Sequence, residues 1–365
     1  IWQGLYYWLQ QQNVARGGQP WYYYFLLIPL YEQIGVVFGL AGIVYSLVKP
    51  TRFRLFLVYW CLGTIFIYSW AAEKMPWLMI HMTMPMMLLA AIALEPCVMV
   101  CYRFARERFF ARAVEPAPAF SIQQDAPVQP RPRVGAGQAA LGLFGVVMAV
   151  LLLLPTLHNM YEVSYIHPAD GPHEMMVYVQ TTTDVNIVMA QINALDQKDF
   201  NGNHQMHIGV TGDATWPFAW YLRDYPKTCF NFPTGCPSSW LSTMPVIVSG
   251  GETPSVDIAT YAPANGKYLA HEYHMRSWWD EGYKLPPCAQ GQKITSSCAD
   301  PTGITGVGPG LWLSYGDNPP PHAQFNFGLA AQHIWNWWWN RQAIGSTDGA
   351  YDMVLFIHKG LGVNP

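Results

Sequence analysis

Four stretches of this chain are apolar over the thickness of a lipid bilayer. They run from Trp21 to Val48, Leu55 to Ala72, Met75 to Tyr102 and Gln138 to Leu157, and about 20 mostly apolar residues suffice to cross a hydrocarbon core. The first carries a single charge, Glu32, and the third carries Glu95 with His81, so both still read as spans. The rival is burial inside a large soluble protein, and four such segments within 157 residues are hard to bury that way. Composition points the same way, since 12% of residues are charged against about 25% in an average soluble domain.

The loops between these spans set an expected topology. Between the first two lies KPTRFR, with Lys49, Arg52 and Arg54 and no acid. Between the third and fourth lies Arg103 to Gly137, with six Arg against three acids and a Pro-rich middle. Short basic loops face the cytoplasm. By alternation, residues 1–20 form an extracytoplasmic amphipathic segment, 21–102 three transmembrane helices, 103–137 a cytoplasmic Pro/Arg-rich linker and 138–157 a fourth helix. Residues 158–365 then form an extracytoplasmic domain, which carries 17 acids against 9 Lys and Arg. An acidic face argues against nucleic acid. The chain opens on IWQGLYYWLQQQ without a signal peptide, which reads as the middle of a longer protein.

Cysteine usage separates the same two regions. Cys61, Cys97 and Cys101 lie in spans, whereas Cys229, Cys236, Cys288 and Cys298 lie in the last 208 residues. Four cysteines allow three pairings. The favoured one joins Cys229 to Cys236 and Cys288 to Cys298, with free thiols and a zinc site as alternatives.

After the last span the pattern alternates strand and helix. MMVYVQT (175–181), HIGVTG (207–212), MPVIVSG (244–250) and MVLFIHK (353–359) read as strands. DVNIVMAQINAL reads as a helix capped by Asp184, and TWPFAWYLRDY as a helix with Pro217 in its first turn. The expected fold class is therefore a membrane α-helical region of about four transmembrane helices followed by an α/β domain with a partly parallel sheet. Ligands approach the carboxyl ends of strands in such sheets. Asp184 and Asp213 would stand at that edge, either as ligand contacts or as helix caps, and Asp213 with Trp216 forms a candidate substrate contact. No nucleotide-binding glycine motif is present, and GVGPG (306–310) reads as a turn. Ten of the sixteen Trp fall in this domain, including Trp278, Trp279 and the run WNWWWNR. Such clusters suit an interfacial belt or a core, or else stack on sugar rings.

The segment AAEKMPWLMIHMTMP (71–85) places ionisable residues between the second and third spans. A solvated helical hairpin would explain Glu73 and Lys74 without any function. Against that, Pro76 suits a first helical turn, Trp77 is an interface anchor, and His81 with Pro85 continues into the span on one side. Ionisable groups inside a span point to function. Lys74 offers three donors and a point charge to a phosphate. Glu73 could orient Lys74, bind a divalent cation such as Mg or Mn, or act as a base. His81 would give a second phosphate contact or bond a backbone carbonyl in a Pro-kinked helix.

EKMPWLMIHMTMP, with RGGQPWYYYFLLIPLYE (16–32), DATWPFAWYLRDY (213–225) and YDMVLFIHK (351–359), resembles the prokaryotic family of flippase-activity-associated proteins. These are similar to the GT-C glycosyltransferases of the dolichyl-phosphate-mannose protein mannosyltransferase type. The resemblance covers most of this chain and corresponds to the membrane half and appended domain of the family. It implies an enzyme of a prokaryotic plasma membrane that transfers a sugar from a polyprenyl-phosphate carrier at the outer face, with membrane lipids and other membrane subunits as partners. A lysine in a similar K-x-P loop lies near the carrier phosphate in that superfamily, which implies this role for Lys74. The family's catalytic carboxylate lies in a first outside loop that has no counterpart in these residues. The alternative is a non-catalytic membrane component whose outside domain binds a partner protein or glycan.

Overall fold

The structure is a computed structural model that describes residues 2–11, 18–110, 134–169, 173–251, 254–263, 266–279, 281–293, 295, 297–299, 305–345 and 351–361. The chain divides into two compact units, Ile1–Tyr161 and Glu162–Pro365. Most of the linker expected at 103–137, from 111 to 133, lies outside the described residues.

The first unit is helical. It comprises α1 (Trp2–Gln11), α2 (Tyr23–Tyr31), α3 (Gln33–Val48), α4 (Arg52–Trp70), a 3₁₀ turn (Pro76–Met79) leading into α5 (Ile80–Ala105), and α6 (Ala136–Tyr161). Three segments are long and apolar enough to cross a membrane: α4, the stretch from Pro76 through α5, and α6 with the turn that follows it. Their outward faces are strongly apolar, with Phe53, Tyr59 and Phe66 on α4 and Leu141, Phe144 and Leu154 on α6 all exposed. Exposed apolar surface on this scale marks association with a membrane.

The first expected span is not one continuous helix. α2 and α3 meet at Glu32 with a bend of 108°, making either a broken span or a re-entrant loop. Pro29 lies inside α2 and cannot donate its helical hydrogen bond. The free carbonyls at the break are taken up by side chains. The Gln33 amide donates to Leu30 O and to Pro29 O, the latter at 3.3 Å. Asn159 Nδ2 of α6 also donates to Leu30 O at 3.1 Å, and Thr156 Oγ1 donates to Gln33 Oε1 at 3.2 Å. Irregular backbone at membrane depth survives only when protein satisfies it in this way.

Small residues bring the helices together. A Cβ placed on Gly42 of α3 would lie 2.0 Å from Leu89 O of α5, and one on Gly145 of α6 would lie 2.7 Å from Cys97 Sγ. Close approach through glycine is how helices pack where lipid supplies no hydrophobic drive between them.

The second unit is an α/β fold around one six-stranded sheet. Its strands are β1 (Tyr178–Thr181), β2 (Ile208–Val210), β3 (Thr228–Phe230), β4 (Val246–Gly251), β5 (Tyr268–Trp278) and β6 (Tyr351–His358). They lie in the order β1-β5-β6-β4-β2-β3. β2 pairs in parallel with both β3 and β4, and the other three pairings are antiparallel. Helices α7 (Asp184–Asp199) and α8 (Thr215–Tyr221) cover one face through Val188, Ile192, Phe218 and Leu222. α9 (Ser238–Leu241) and α10 (Pro254–Tyr261) cover the other through Trp240, Ile258 and Tyr261. The remaining helices, α11 (Pro309–Tyr315) and α12 (Phe327–Asn340), pack on each other, with His333 Nδ1 2.9 Å from Leu313 O.

The two expected disulfides are present, Cys229–Cys236 and Cys288–Cys298. They point to an oxidising, extracytoplasmic setting for this unit. Two local expectations change. Thr183, not Asp184, stands at the N-cap of α7 and makes no capping bond. Asp184 Oδ2 instead accepts from His274 N at 3.1 Å, because β5 runs beside it. Pro217 does not sit in a regular first turn, since Trp216 is non-helical at φ −107, ψ 114 and kinks α8.

Candidate functional site

In the first unit the site forms where α4 ends. The chain leaves the helix at Ala71 and crosses Ala72, Glu73, Lys74 and Met75 before the 3₁₀ turn begins at Pro76. Tyr24 of α2 fixes this crossing. Its hydroxyl donates to Met75 O at 3.0 Å and accepts from Met75 N at 3.2 Å, satisfying both backbone groups of one residue. Nothing in the sequence run itself reveals this clamp, because its two sides are 51 residues apart.

Lys74 is buried, at 4% exposure, where the sequence suggests a lysine at a wet boundary. Its ammonium donates to Ala71 O, closing the loop on itself. Among the described residues no carboxylate lies within ion-pairing distance of it. Burial pushes its pKa down from 10.5 to about 8, since desolvation disfavours the charged form. Glu73 is half-buried and its charge is felt at the Tyr24 hydroxyl rather than at Lys74.

The neighbouring side chains divide. Trp77 is 55% exposed, as an anchor at an interface would be. His81 is exposed and its ring stacks on Tyr68 of α4 at 5.4 Å, with planes 4° apart. Among the described residues it makes no hydrogen bond to a backbone carbonyl, and Pro85, expected on the same side, is buried. This stacking packs α4 against α5.

Two adjoining apolar cavities lie beside the loop. One of about 250 Å³ is lined by Tyr24, Phe25, Pro29, Leu40, Ile65 and Met86. The other, of about 350 Å³, shares Phe25 and Ile65 and reaches Trp21, Ser69 and Trp70. Tyr24 is the loop clamp and Trp70 immediately precedes Ala71, so the apolar space borders the segment that holds Lys74. Among the described residues no group of three or more His, Cys, Asp or Glu side chains converges to hold a metal. Glu73 alone supplies too few donors for a resident divalent cation.

In the second unit, Asp213 and Trp216 follow β2 at the carboxyl edge of the parallel strands. Both are exposed, Trp216 at 70%. The same edge carries a pair that sequence reasoning missed, His274 Nδ1 at 2.8 Å from Asp352 Oδ1. Asp352 lies opposite Gly251 at the end of β4. The missed signal is the alternation in YLAHEYHMRSW, whose polar members hid a strand.

The tryptophan-rich segments divide between core and surface. Trp279, Trp312 and Trp337 are fully buried, while Trp335 and Trp339 are exposed. Around the buried members lie two enclosed ion pairs, Arg341–Glu174 at 2.7 Å and Lys284–Glu281 at 2.9 Å. Trp337 Nε1 donates to His173 O at 2.8 Å, and the Arg341 guanidinium lies 4.3 Å from the Trp337 ring centre. The WNWWWNR run is therefore partly a structural core.

No family model, curated protein or solved structure matches this chain. The fold and site define a membrane-associated chain with a disulfide-bonded α/β domain.

Proposed function

We propose that the first unit binds the phosphate and chain of a polyprenyl-phosphate carrier, and that the protein serves sugar transfer from that carrier at the outer face of the membrane. The observation that carries this reading is the buried Lys74 ammonium, which among the described residues has a backbone carbonyl but no carboxylate to answer its charge. A charge held in low dielectric without a counterion is costly, and an anion entering the loop would offset that cost. The apolar cavities beside Tyr24 and Trp70 suit an isoprenoid chain, so phosphate and hydrocarbon would be met side by side.

In the transfer, the bond between the sugar's anomeric carbon and the carrier phosphate oxygen breaks as the acceptor oxygen bonds to that carbon. The acceptor's proton passes to a carboxylate base. Charge grows on the departing phosphate, and Lys74, already positioned, stabilises it there. Glu73 assists by hydrogen bonding within the loop. The disulfides and the basic loop at Lys49–Arg54 support an orientation with the second unit outside.

The test compares farnesyl phosphate with farnesol as ligands for the full chain in nanodiscs. Farnesyl phosphate should bind and farnesol should bind at least about tenfold more weakly, with the difference lost in Lys74→Gln. Equal binding of the two, or an unchanged preference in the variant, would remove the proposal.

A further inference from the structure

A third cavity, with polar side chains among apolar walls, lies at the far edge of the sheet from Asp213. It measures about 520 Å³, and its polar lining comprises Gln205, His207, Lys227, Ser242, Thr243 and His358. Three strands bring these residues together at their amino ends. His207 immediately precedes β2, Lys227 precedes β3, and Thr243 lies just before β4. The backbone ties them to one another: Ile208 N donates to Lys227 O at 3.3 Å and His358 N to Pro245 O at 2.9 Å. The His207 ring is held flat against Trp240, at 4.1 Å between ring centres and 12° between planes.

The charge here runs against its surroundings. Residues 158–365 are acidic as a whole, yet among the described residues no carboxylate lines this cavity. Among the described residues Lys227 has no ion-pair partner. Lys267 and Lys359 stand just outside, joined by a bond from Lys359 N to Lys267 O at 2.8 Å. On α7, Asp196 accepts from His204 N at 3.1 Å, and Asp199, next to the lining residue Phe200, is exposed. Phe200, Pro245 and Leu361 give the cavity apolar walls beside its hydroxyls and amide. Pockets of this size take small molecules, with a few polar groups fixing orientation.

We propose that this cavity is a binding site for an anionic sugar, a sugar phosphate or a sugar acid, with Lys227 and His207 holding the anion and Ser242, Thr243 and Gln205 meeting hydroxyls. Burial, and after it the Lys227 charge, holds His207 below its ordinary value. An anion seated between the two groups meets the Lys227 charge and a ring N–H of neutral His207. The site stands independently of the carrier site, because its residues and its ligand chemistry differ from those of the Lys74 loop.

The test titrates the full chain in nanodiscs with glucose 1-phosphate, glucuronate and neutral glucose, followed by calorimetry. At least one of the two anions should bind saturably and glucose should not, and which anion wins identifies phosphate or carboxylate as the recognised group. Lys227→Gln should weaken the winning anion roughly ten- to a hundredfold, the range for losing a hydrogen bond to a charged group. His207→Gln serves as a second variant, and an unchanged melting temperature shows that each variant is folded. Glucose binding as tightly as the anions, the absence of binding by both anions, or undiminished affinity in both folded variants would overturn the proposal.

Discussion

Replacing Lys74 by Met tests the electrostatics of the loop directly. The ammonium is 4% exposed and its pKa falls from 10.5 to about 8 through burial. At about 1.4 kcal/mol per pH unit, that descent corresponds to about 3 kcal/mol by which the charged form disfavours the folded state. Met keeps the length and apolar stem of the side chain but discards the charge. It also loses the bond to Ala71 O, worth about 1 kcal/mol. The variant should therefore gain about 2 kcal/mol at pH 7. The sign with pH follows from proton counting. Between pH 8 and 10.5 the folded chain has released the Lys74 proton while the unfolded chain retains it, so stability of the native protein rises across that window. The advantage of Lys74→Met is then full below pH 8 and gone above 10.5. Thermal unfolding of the full chain in detergent, run at pH 7 and at pH 10 on both proteins, reads this as a difference that shrinks with pH. A variant less stable than the native protein at pH 7 would refute the reasoning, because it would mean that the charge is already answered by a counterion. Added farnesyl phosphate should narrow the gap at pH 7 by stabilising only the native protein.

Arg341→Ala strands the fully buried Glu174 carboxylate and should cost about 3–5 kcal/mol, seen as a lower denaturation midpoint. Gly42→Leu forces α3 away from Leu89 O of α5 and should destabilise the first unit by about 1–3 kcal/mol or more. Gly63→Ala, where a Cβ meets nothing within 4 Å, should leave thermal stability unchanged or slightly raised. Reduction of Cys229–Cys236 and Cys288–Cys298 should destabilise the second unit by about 2–4 kcal/mol for each bond, measured by unfolding with and without reductant. Tyr24→Phe removes both bonds to Met75 and should increase amide exchange at Met75 more than in α5.

The strands most legible in the sequence are the continuous apolar ones. β4 and β6 are buried on both faces and read as VIVSGG and MVLFIH, so local composition suffices to find them. β5 is the longest strand, yet only Met275 and Ser277 are fully buried along it. Its polar residues are interleaved with half-buried ones, so no continuous apolar run marks it. β3 has three residues, too few to show a period. The disulfide partners were legible because each pair is close in sequence, at separations of seven and ten residues. The candidate site was half legible. Charge in an apolar run singled out Glu73 and Lys74, while the neutral amides Gln33 and Asn159, polar groups in similar runs, were not recognised.

The sequence by itself determined the solvents of this protein. Hydropathy is summed over neighbouring residues, so apolar runs long enough for a bilayer, the change of pattern near residue 157 and the oxidised cysteine pairs could all be read from the sequence. Whatever depends on distant residues was left to the tertiary structure. The bend at Glu32 persists because Asn159, 129 residues from Leu30, takes up a carbonyl that the break leaves open. Lys74 is buried because Tyr24, on another helix, draws Met75 inward. The cavity around Lys227 exists because three strand ends and the end of a fourth converge there. A chain pattern records what each segment prefers, whereas burial and electrostatic partnership are properties of contacts between segments, and only the folded arrangement creates those.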